Sequence, residues 1–206
     1  MNKLKTLMLA IPFALMPLTS QAQEKPRTNS KNNLQIEQIQ ENQWNTWFGT
    51  SAIYPHDEDL KNAFKSYFGL TGETQKKVGK DLFLGVNGTI GWGNSENNEY
   101  KINATLSEMS GLLIYKLGTK KSQFSIGAGP KISLLNLTAK EKTNSGYINL
   151  DSDKYSGIGY TLRMKYSTKI SKKVSLFAKF GYSKIDNSDE YGFDLGTTSI
   201  SMGLEF

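Results

Sequence analysis

The sequence contains no cysteine and only one histidine, His56, among its 206 residues. Without cysteine, the chain has no disulfide, no thiolate nucleophile and no thiolate metal ligand. Beyond the N-terminal segment there is also no apolar run of about 20 residues, the length that a membrane-spanning helix requires. These absences exclude a disulfide scaffold, a thiol enzyme and a helical membrane protein.

The charge balance is only mildly basic, with 25 Lys and Arg residues against 19 Asp and Glu residues. The lysines lie in small clusters at turns and do not form the stripe that is expected of a nucleic-acid-binding surface. We therefore expect no nucleic-acid partner.

Residues 1–22 have the pattern of an export signal. Lys3 and Lys5 form a positive n-region, residues 7–18 form the apolar h-region, and Ser20-Gln21-Ala22 is a small-x-small cleavage site. Two prolines interrupt the apolar stretch, which makes an uncleaved anchor the weaker alternative. Cleavage after Ala22 leaves 206 − 22 = 184 residues, enough for one domain.

Residues 23–43 are polar and contain only three large apolar side chains. Such a segment buries too little apolar surface to offset the entropy of ordering, so we predict a flexible periplasmic leader. From Trp44 to Phe206 the composition changes to glycine, aromatic and aliphatic residues that alternate with polar ones. This alternation is typical of strands with lipid on one side and a polar interior on the other.

Alternation predicts eight strands and an all-β fold, a transmembrane antiparallel up-and-down β-barrel of 8 strands. The last strand has the clearest pattern, with Ile200, Met202, Leu204 and Phe206 on one face. The predicted strands are 44–54, 62–75, 82–93, about 100–117, 122–137, 157–166, 174–183 and 197–206.

Two of these strands are ambiguous. Residues 60–68 also follow the i, i+3, i+4 spacing of an amphipathic helix, but a helix in place of strand 62–75 would leave seven strands, and bacterial barrels have an even number. In the fourth strand, the apolar phase changes above Ser107 to Ile102, Ala104 and Leu106. A β-bulge near Ser107, or a strand top above the membrane, explains that change.

The connections alternate as a barrel requires. Residues 76–81, 118–121 and 171–173 form short turns expected on the periplasmic side, and the other four connections, mostly longer, are expected outside. Trp92 and Tyr182 are predicted near the outer interface. Tyr115, Tyr166 and Phe206 are predicted near the inner one, and aromatic girdles account for both groups.

With its hairpin Val78–Val86 and its terminal Phe206, the chain resembles the small eight-stranded outer-membrane barrels of the OmpA/OmpX/OmpW type. The resemblance implies location in the outer membrane, contact with its lipids and lipopolysaccharide, and recognition of the last strand by the barrel-assembly machinery. That assembly signal would comprise Ile200, Met202, Leu204 and Phe206. The same fold serves anchors, adhesins, narrow channels and lipid-modifying enzymes, so it does not specify the function.

The inward phases of the predicted strands collect eight charged residues. A barrel of eight strands is only wide enough for its own side chains to fill, and enclosed charges must be paired. We therefore predict an ionic network that closes the interior, and a narrow porin-like channel for small solutes is the alternative. The residues of this network are Lys65, Glu73, Glu108, Lys131, Arg163, Lys165, Lys179 and Glu205.

The predicted outer loops carry clusters of acids such as Asp57-Glu58-Asp59 and 186–190, which supply hard oxygen ligands for divalent cations. None has an EF-hand spacing, so we predict no metal site of defined geometry and no cofactor. A lipid A-modifying enzyme would depend on His56, with Ser51 the nearest serine in sequence, but no motif places a nucleophile beside it. The sequence thus favours a non-enzymatic barrel with an envelope-structural or surface-contact role.

Overall fold

The computed structural model describes residues 44–96, 99–119, 121–144, 146–185 and 194–206. The predicted signal peptide, the predicted leader and the acidic residues Asp186, Asp189 and Glu190 lie outside these residues. Among the residues described, no helix is long and apolar enough to cross a bilayer.

Eight antiparallel strands form a closed barrel in which each strand pairs with its neighbours in sequence and β1 pairs with β8. This arrangement confirms the predicted fold class. The strands are β1 Trp44–Pro55, β2 Tyr67–Lys77, β3 Leu82–Glu96, β4 Tyr100–Gly118, β5 Ser122–Thr143, β6 Gly146–Lys169, β7 Ser175–Ile185 and β8 Thr197–Glu205.

The alternation of the sequence becomes an alternation of burial. In β7, Leu176 and Phe180 are exposed while Phe177 and Lys179 are buried, and the other strands alternate in the same way. Successive side chains of a strand point to opposite sides of the sheet, so the exposed set forms one continuous apolar outer surface. Phe68 and Trp92, paired across β2 and β3, are 63% and 49% exposed on that surface.

The ambiguous segment before β3 contains both a helix and a strand. Helix α1 spans Glu58–Phe64, and β2 begins at Tyr67, so the predicted strand start at residue 62 is wrong. Asp57 caps the helix by accepting a hydrogen bond from the Leu60 amide at 3.0 Å. Lys65 ends it with a positive φ of 51°. Because α1 lies within the β1–β2 connection, a helix here does not reduce the number of strands, contrary to the sequence argument.

The predicted β-bulge near Ser107 is wrong. The register between β3 and β4 is continuous from Leu82 opposite Tyr115 to Glu96 opposite Lys101. Ile102, Ala104 and Leu106 keep the inward phase of β4 and contribute to an apolar cluster inside the barrel. The register shift of this wall lies further up, between β5 and β6 at Ala139 and Lys140.

The strands differ greatly in length. β5 and β6 have 22 and 24 residues, whereas β7 has 11 and β8 has 9. Because a tilted strand crosses a bilayer with about 9–11 residues, the upper half of β5 and β6 stands beyond it. We call residues 136–143 of β5 and 146–156 of β6, with 100–103 of β4, the projecting sheet. It rises at the end of the barrel that carries the β1–β2 and β7–β8 connections, which are the two longest, and long connections face outward in barrels of this class.

Candidate functional site

Seven of the eight charged residues assigned to the interior lie there, and six of them form three ion pairs. Lys131 Nζ is 2.5 Å from Glu108 Oε1, and both side chains are 7% exposed. Arg163 Nη2 is 2.7 Å from Glu73 Oε1, with 4% and 0% exposed. Lys165 Nζ is 3.0 Å from Glu205 Oε2. The seven are Glu73, Glu108, Lys131, Arg163, Lys165, Lys179 and Glu205.

The prediction that Lys65 faces the interior is wrong. Lys65 is the exposed C-cap residue of α1 and is not part of β2. Lys116 takes its place in the network. This side chain is 5% exposed, with Nζ 3.9 Å from Glu205 Oε1 and 4.1 Å from the centre of the Phe83 ring. The phase that turns Tyr115 and Leu117 outward already implies that Lys116 points inward, so the sequence contained this signal.

Two aromatic side chains, Trp47 and Phe177, share the interior with these charges. Their ring centroids are 4.5 Å apart, and both residues are at most 2% exposed. The Lys179 ammonium lies 4.7 Å from the centroid of Trp47, and that of Lys165 lies 5.5 Å from it. The ring faces therefore stabilise two buried cations, a contribution that strengthens when the cation is removed from water.

Lys179 differs from the other interior cations. Its Nζ donates to Thr71 Oγ1 at 3.3 Å, and that hydroxyl lies 2.9 Å from Thr89 Oγ1. Among the ion pairs formed by the described residues, none includes Lys179. Its charge is thus solvated by a hydroxyl and an aromatic ring, without a carboxylate in contact.

The outward end of the interior is apolar. Leu60 and Phe64 of α1 are 4% and 6% exposed, and they pack against inward side chains of five strands and the segment before β8. We call this group the apolar seal: Ile53, Leu60, Phe64, Tyr67, Ala104, Leu106, Leu135, Ile185 and Leu195. Sequence reasoning missed it because the interior was expected to be polar along its whole length.

His56 lies at the rim, just after β1. Its Nε2 is 2.9 Å from Thr198 Oγ1, its backbone amide donates to Gly196 O at 2.9 Å, and its ring centroid is 4.9 Å from that of Tyr182. Partial burial lowers the pKa of His56 below its ordinary value of 6.5, although the nearby Asp194 carboxylate opposes this shift. The Ser51 hydroxyl instead points inward, 3.0 Å from Ser201 Oγ, so it is not beside His56.

The acids of the first outer connection are partly committed to structure. While Asp57 Oδ1 caps α1, its Oδ2 accepts a hydrogen bond from the Asp194 amide at 3.2 Å. This carboxylate therefore joins the β1–β2 connection to the residues before β8. Within the described part of the chain, no group of three or more histidines and acids is arranged to hold a metal ion.

The polar interior leaves little empty space. One cavity between the ion pairs has a volume of about 20 Å³ and is lined by side chains of β3 to β8, including Lys131, Arg163 and Lys179. A single water molecule needs at least about 10–15 Å³ by this measure, so the cavity accommodates one small occupant. Together with the apolar seal, this packing fills the barrel with its own side chains, as expected for eight strands.

Solved structures with a similar fold include outer-membrane proteins. A major outer membrane protein from Thermus thermophilus is 10% identical with a TM-score of 0.54, covering 80% of this chain and 99% of that one. OprG from Pseudomonas aeruginosa is 10% identical with a TM-score of 0.52, covering 79% and 93%. Neisserial surface protein A is 14% identical with a TM-score of 0.49, covering 79% and 95%. No protein-family model and no curated protein matches the sequence.

The chain has the fold of the small eight-stranded outer-membrane β-barrels. In an outer-membrane barrel, the outer surface is an apolar band bordered by aromatic residues. The last strand carries such a surface here, with Ile200 at 51%, Met202 at 63%, Leu204 at 39% and Phe206 at 60% exposure.

Proposed function

We propose that this protein is a non-enzymatic outer-membrane barrel with a closed interior, which has an envelope-structural or surface-contact role. The observation that carries the proposal is the double closure of the barrel: buried ion pairs fill its middle and the apolar seal fills its outward end. A route for solutes would have to cross both. The narrow porin-like channel is therefore the less favoured function.

The surface-contact role rests on the projecting sheet, whose two faces differ in charge. Lys140 and Lys142 share the phase of the lipid-facing Ile132 on β5, and Lys101 shares the phase of Met109 on β4. Lys101 and Lys140 are direct partners in the β4–β5 register. Glu141 has the opposite phase on β5. These three lysines thus lie beyond the apolar surface, on the same outward face of the sheet.

Direct cross-strand neighbours of like charge repel one another. Glu96 moderates this repulsion: its Oε2 is 3.7 Å from Lys101 Nζ, and its Oε1 accepts a hydrogen bond from the Tyr147 hydroxyl at 2.6 Å. The remaining positive charge suits the phosphate groups of an anionic outer leaflet. We propose that the outward lysines of the projecting sheet contact lipopolysaccharide phosphates directly, with divalent cations bridging to outer-loop carboxylates in a supporting role.

We further propose that the barrel-assembly machinery recognises β8 through Ile200, Met202, Leu204 and Phe206, and that residues 1–22 direct export and are removed after Ala22. The exposed apolar face of β8 supports the first proposal. The pairing of β8 with β1 supports it as well, because the same strand completes the barrel.

Conductance in planar bilayers tests the closed interior. We expect the purified, refolded barrel to give no stable single-channel currents at neutral pH. Reproducible unitary currents that scale with salt concentration would reject the closed-interior function and favour the channel.

Stability in two environments tests the surface contact. Wild-type protein is expected to melt at a higher temperature in lipopolysaccharide-containing bilayers than in neutral detergent, and a Lys101→Gln, Lys140→Gln, Lys142→Gln variant is expected to lose most of that difference. Glu141→Gln, on the opposite face of the same strand, is the control and should keep it. An equal difference in all three proteins would reject the lysine contact.

A further inference from the structure

Cations outnumber carboxylates inside the barrel. The buried bases are Lys116, Lys131, Arg163, Lys165 and Lys179, and the acids that face them are Glu73, Glu108 and Glu205. Even with every carboxylate ionised, five positive charges against three negative ones leave an excess of two among the described interior residues. Charge that is withdrawn from water and left uncompensated is strongly destabilising.

Part of this excess positive charge lies at Lys179 and Arg163. Lys165 and Lys116 share the two oxygens of Glu205, while Lys131 pairs with Glu108 and donates to Ser183 Oγ at 2.8 Å. Lys179, 6% exposed, has a hydroxyl and a ring as partners, and no carboxylate of the described residues is within ion-pair distance of it. Arg163, 3% exposed, donates from Nη2 to Glu73, whereas its buried Nε and Nη1 have no hydrogen-bond acceptor among the residues that the structure describes.

These two cations line the same cavity of about 20 Å³. Most of the remaining lining is polar and uncharged, namely Asn87, Thr89, Ser110, Thr161 and Ser199. One carboxylate, Glu108, also lines it, but this acid is already paired with Lys131 at 2.5 Å. The cavity therefore combines net positive charge, polar uncharged side chains, and room for one small occupant.

We propose that this cavity is a binding site for a monatomic anion of the halide class, with chloride as the natural occupant, held between the Lys179 ammonium and the Arg163 guanidinium. A halide is a single atom only somewhat larger than a water molecule, whereas phosphate or a carboxylate ligand has several heavy atoms and needs a much larger volume. Water would satisfy the donors but would leave the charge excess in place. Coulombic attraction is strong at such a site because the effective dielectric constant inside a protein is far below that of water.

The test uses the refolded full barrel in a neutral detergent, unfolded with urea in sodium chloride, sodium bromide or sodium gluconate at equal ionic strength. Because the folded state alone contains the site, the folded-to-unfolded ratio should rise with halide concentration, by about tenfold for each tenfold increase above the dissociation constant. Gluconate is too large for the cavity and controls for screening of surface charge. Equal urea midpoints in bromide and gluconate would overturn the proposal.

Lys179→Met should remove the dependence on halide. Lys116→Met is the matched control, since it makes the same substitution at a buried interior lysine that does not line the cavity, and it should keep the dependence. Loss of the halide effect in both variants, or in neither, would assign it to something other than this site.

Diffraction at the bromine absorption edge from crystals grown in bromide locates the ion directly, and it remains decisive if Lys179→Met does not fold. An anomalous peak between Lys179 and Arg163, together with halide-dependent stability, is the expected result. A peak without that dependence would mean binding at crystal concentration only and would reject the site. Absence of a peak would leave water as the occupant and reject it equally.

Discussion

Arg163 on β6 and Glu73 on β2 meet across the barrel interior, with 2.7 Å between Nη2 and Oε1, although 90 residues separate them in the sequence. Neither side chain is more than 4% exposed, so water cannot replace either partner. A buried ion pair often stabilises a protein no more than an apolar pair of similar volume does. Removal of one partner, however, leaves the other charge uncompensated.

Arg163→Met is accordingly expected to destabilise the barrel by about 3–5 kcal/mol, because Glu73 would remain buried without its partner. Urea unfolding in detergent micelles measures the loss. Arg163→Met combined with Glu73→Gln should recover part of it, since the orphaned charge is then removed. Equal stability of wild type and the single variant would show that Glu73 is solvated or protonated.

The apolar seal should respond to truncation of its helix. Phe64→Ala is expected to cost about 3–5 kcal/mol, the range for loss of a buried aromatic side chain. Lys61→Ala, at an exposed position of the same helix, is the control, and its free energy of unfolding should change by no more than about 0.5 kcal/mol. Thermal melts report both values. If the two substitutions have the same effect, the helix does not close the barrel in solution.

The lowered pKa of His56 predicts a pH dependence. Because its pKa in the folded state lies below the ordinary 6.5, the unfolded chain takes up a proton at this side chain before the folded barrel does. Stability should therefore fall as the pH drops through about 6.5, and His56→Gln should reduce the slope between pH 7 and 5.5. His56 is the only histidine, and the difference in urea midpoints between wild type and His56→Gln across this window isolates its contribution. An unchanged slope in the variant would contradict the assignment.

The contact of His56 with Thr198 places an imidazole beside a hydroxyl at the rim, a pairing that acyl-transfer enzymes also use. We nevertheless expect no lipid-modifying activity, since this hydroxyl belongs to a structural contact that fixes the strand ends. Mass spectra of lipid A from cells with wild type, His56→Ala, Thr198→Val or a deletion should be the same. An acyl-chain difference that follows both substitutions would overturn the non-enzymatic function.

The lipid-facing surface of β8 yields a prediction on insertion. Met202 is 63% exposed near the middle of the strand, and Met202→Lys should cost up to about 2–4 kcal/mol if it lies near the bilayer midplane. Met202→Leu is the control and should fold normally. Heat-modifiable gel mobility separates folded from unfolded protein in membranes. Equal folded fractions for the Lys variant and the control would argue that Met202 does not face lipid.

Sequence reasoning was strongest where one physical rule acted alone. Period-two alternation identified seven strands, because each has lipid on one side and a filled interior on the other, and the even strand number of bacterial barrels decided in favour of β2. The sequence-based prediction was weaker above the membrane, where residues 60–68 fit the period of a helix and the period of a strand equally well. Only the packing of Leu60 and Phe64 into the barrel distinguishes the helix from the strand.

In the interior, too, local patterns were predictable and contacts between distant strands were not. The strand phases gave most of its charged residues, and Lys116 was available from the phase of β4. Which charges meet was not available, because contacts such as Glu73 with Arg163 depend on the stagger of strands around a closed cylinder. The apolar seal was missed for a similar reason: its members come from distant strands that share only a height in the barrel.

The ion pairs of the interior also bear on the order in which the barrel assembles. Glu73 of β2 needs Arg163 of β6, and Glu205 of β8 needs Lys116 of β4 and Lys165 of β6. Of the four β-hairpins in sequence order, none contains both partners of any of these pairs. A partly built sheet thus carries unneutralised charge on its concave side until β8 meets β1. Partly assembled intermediates therefore gain little stability, and closure is favoured as a single cooperative event.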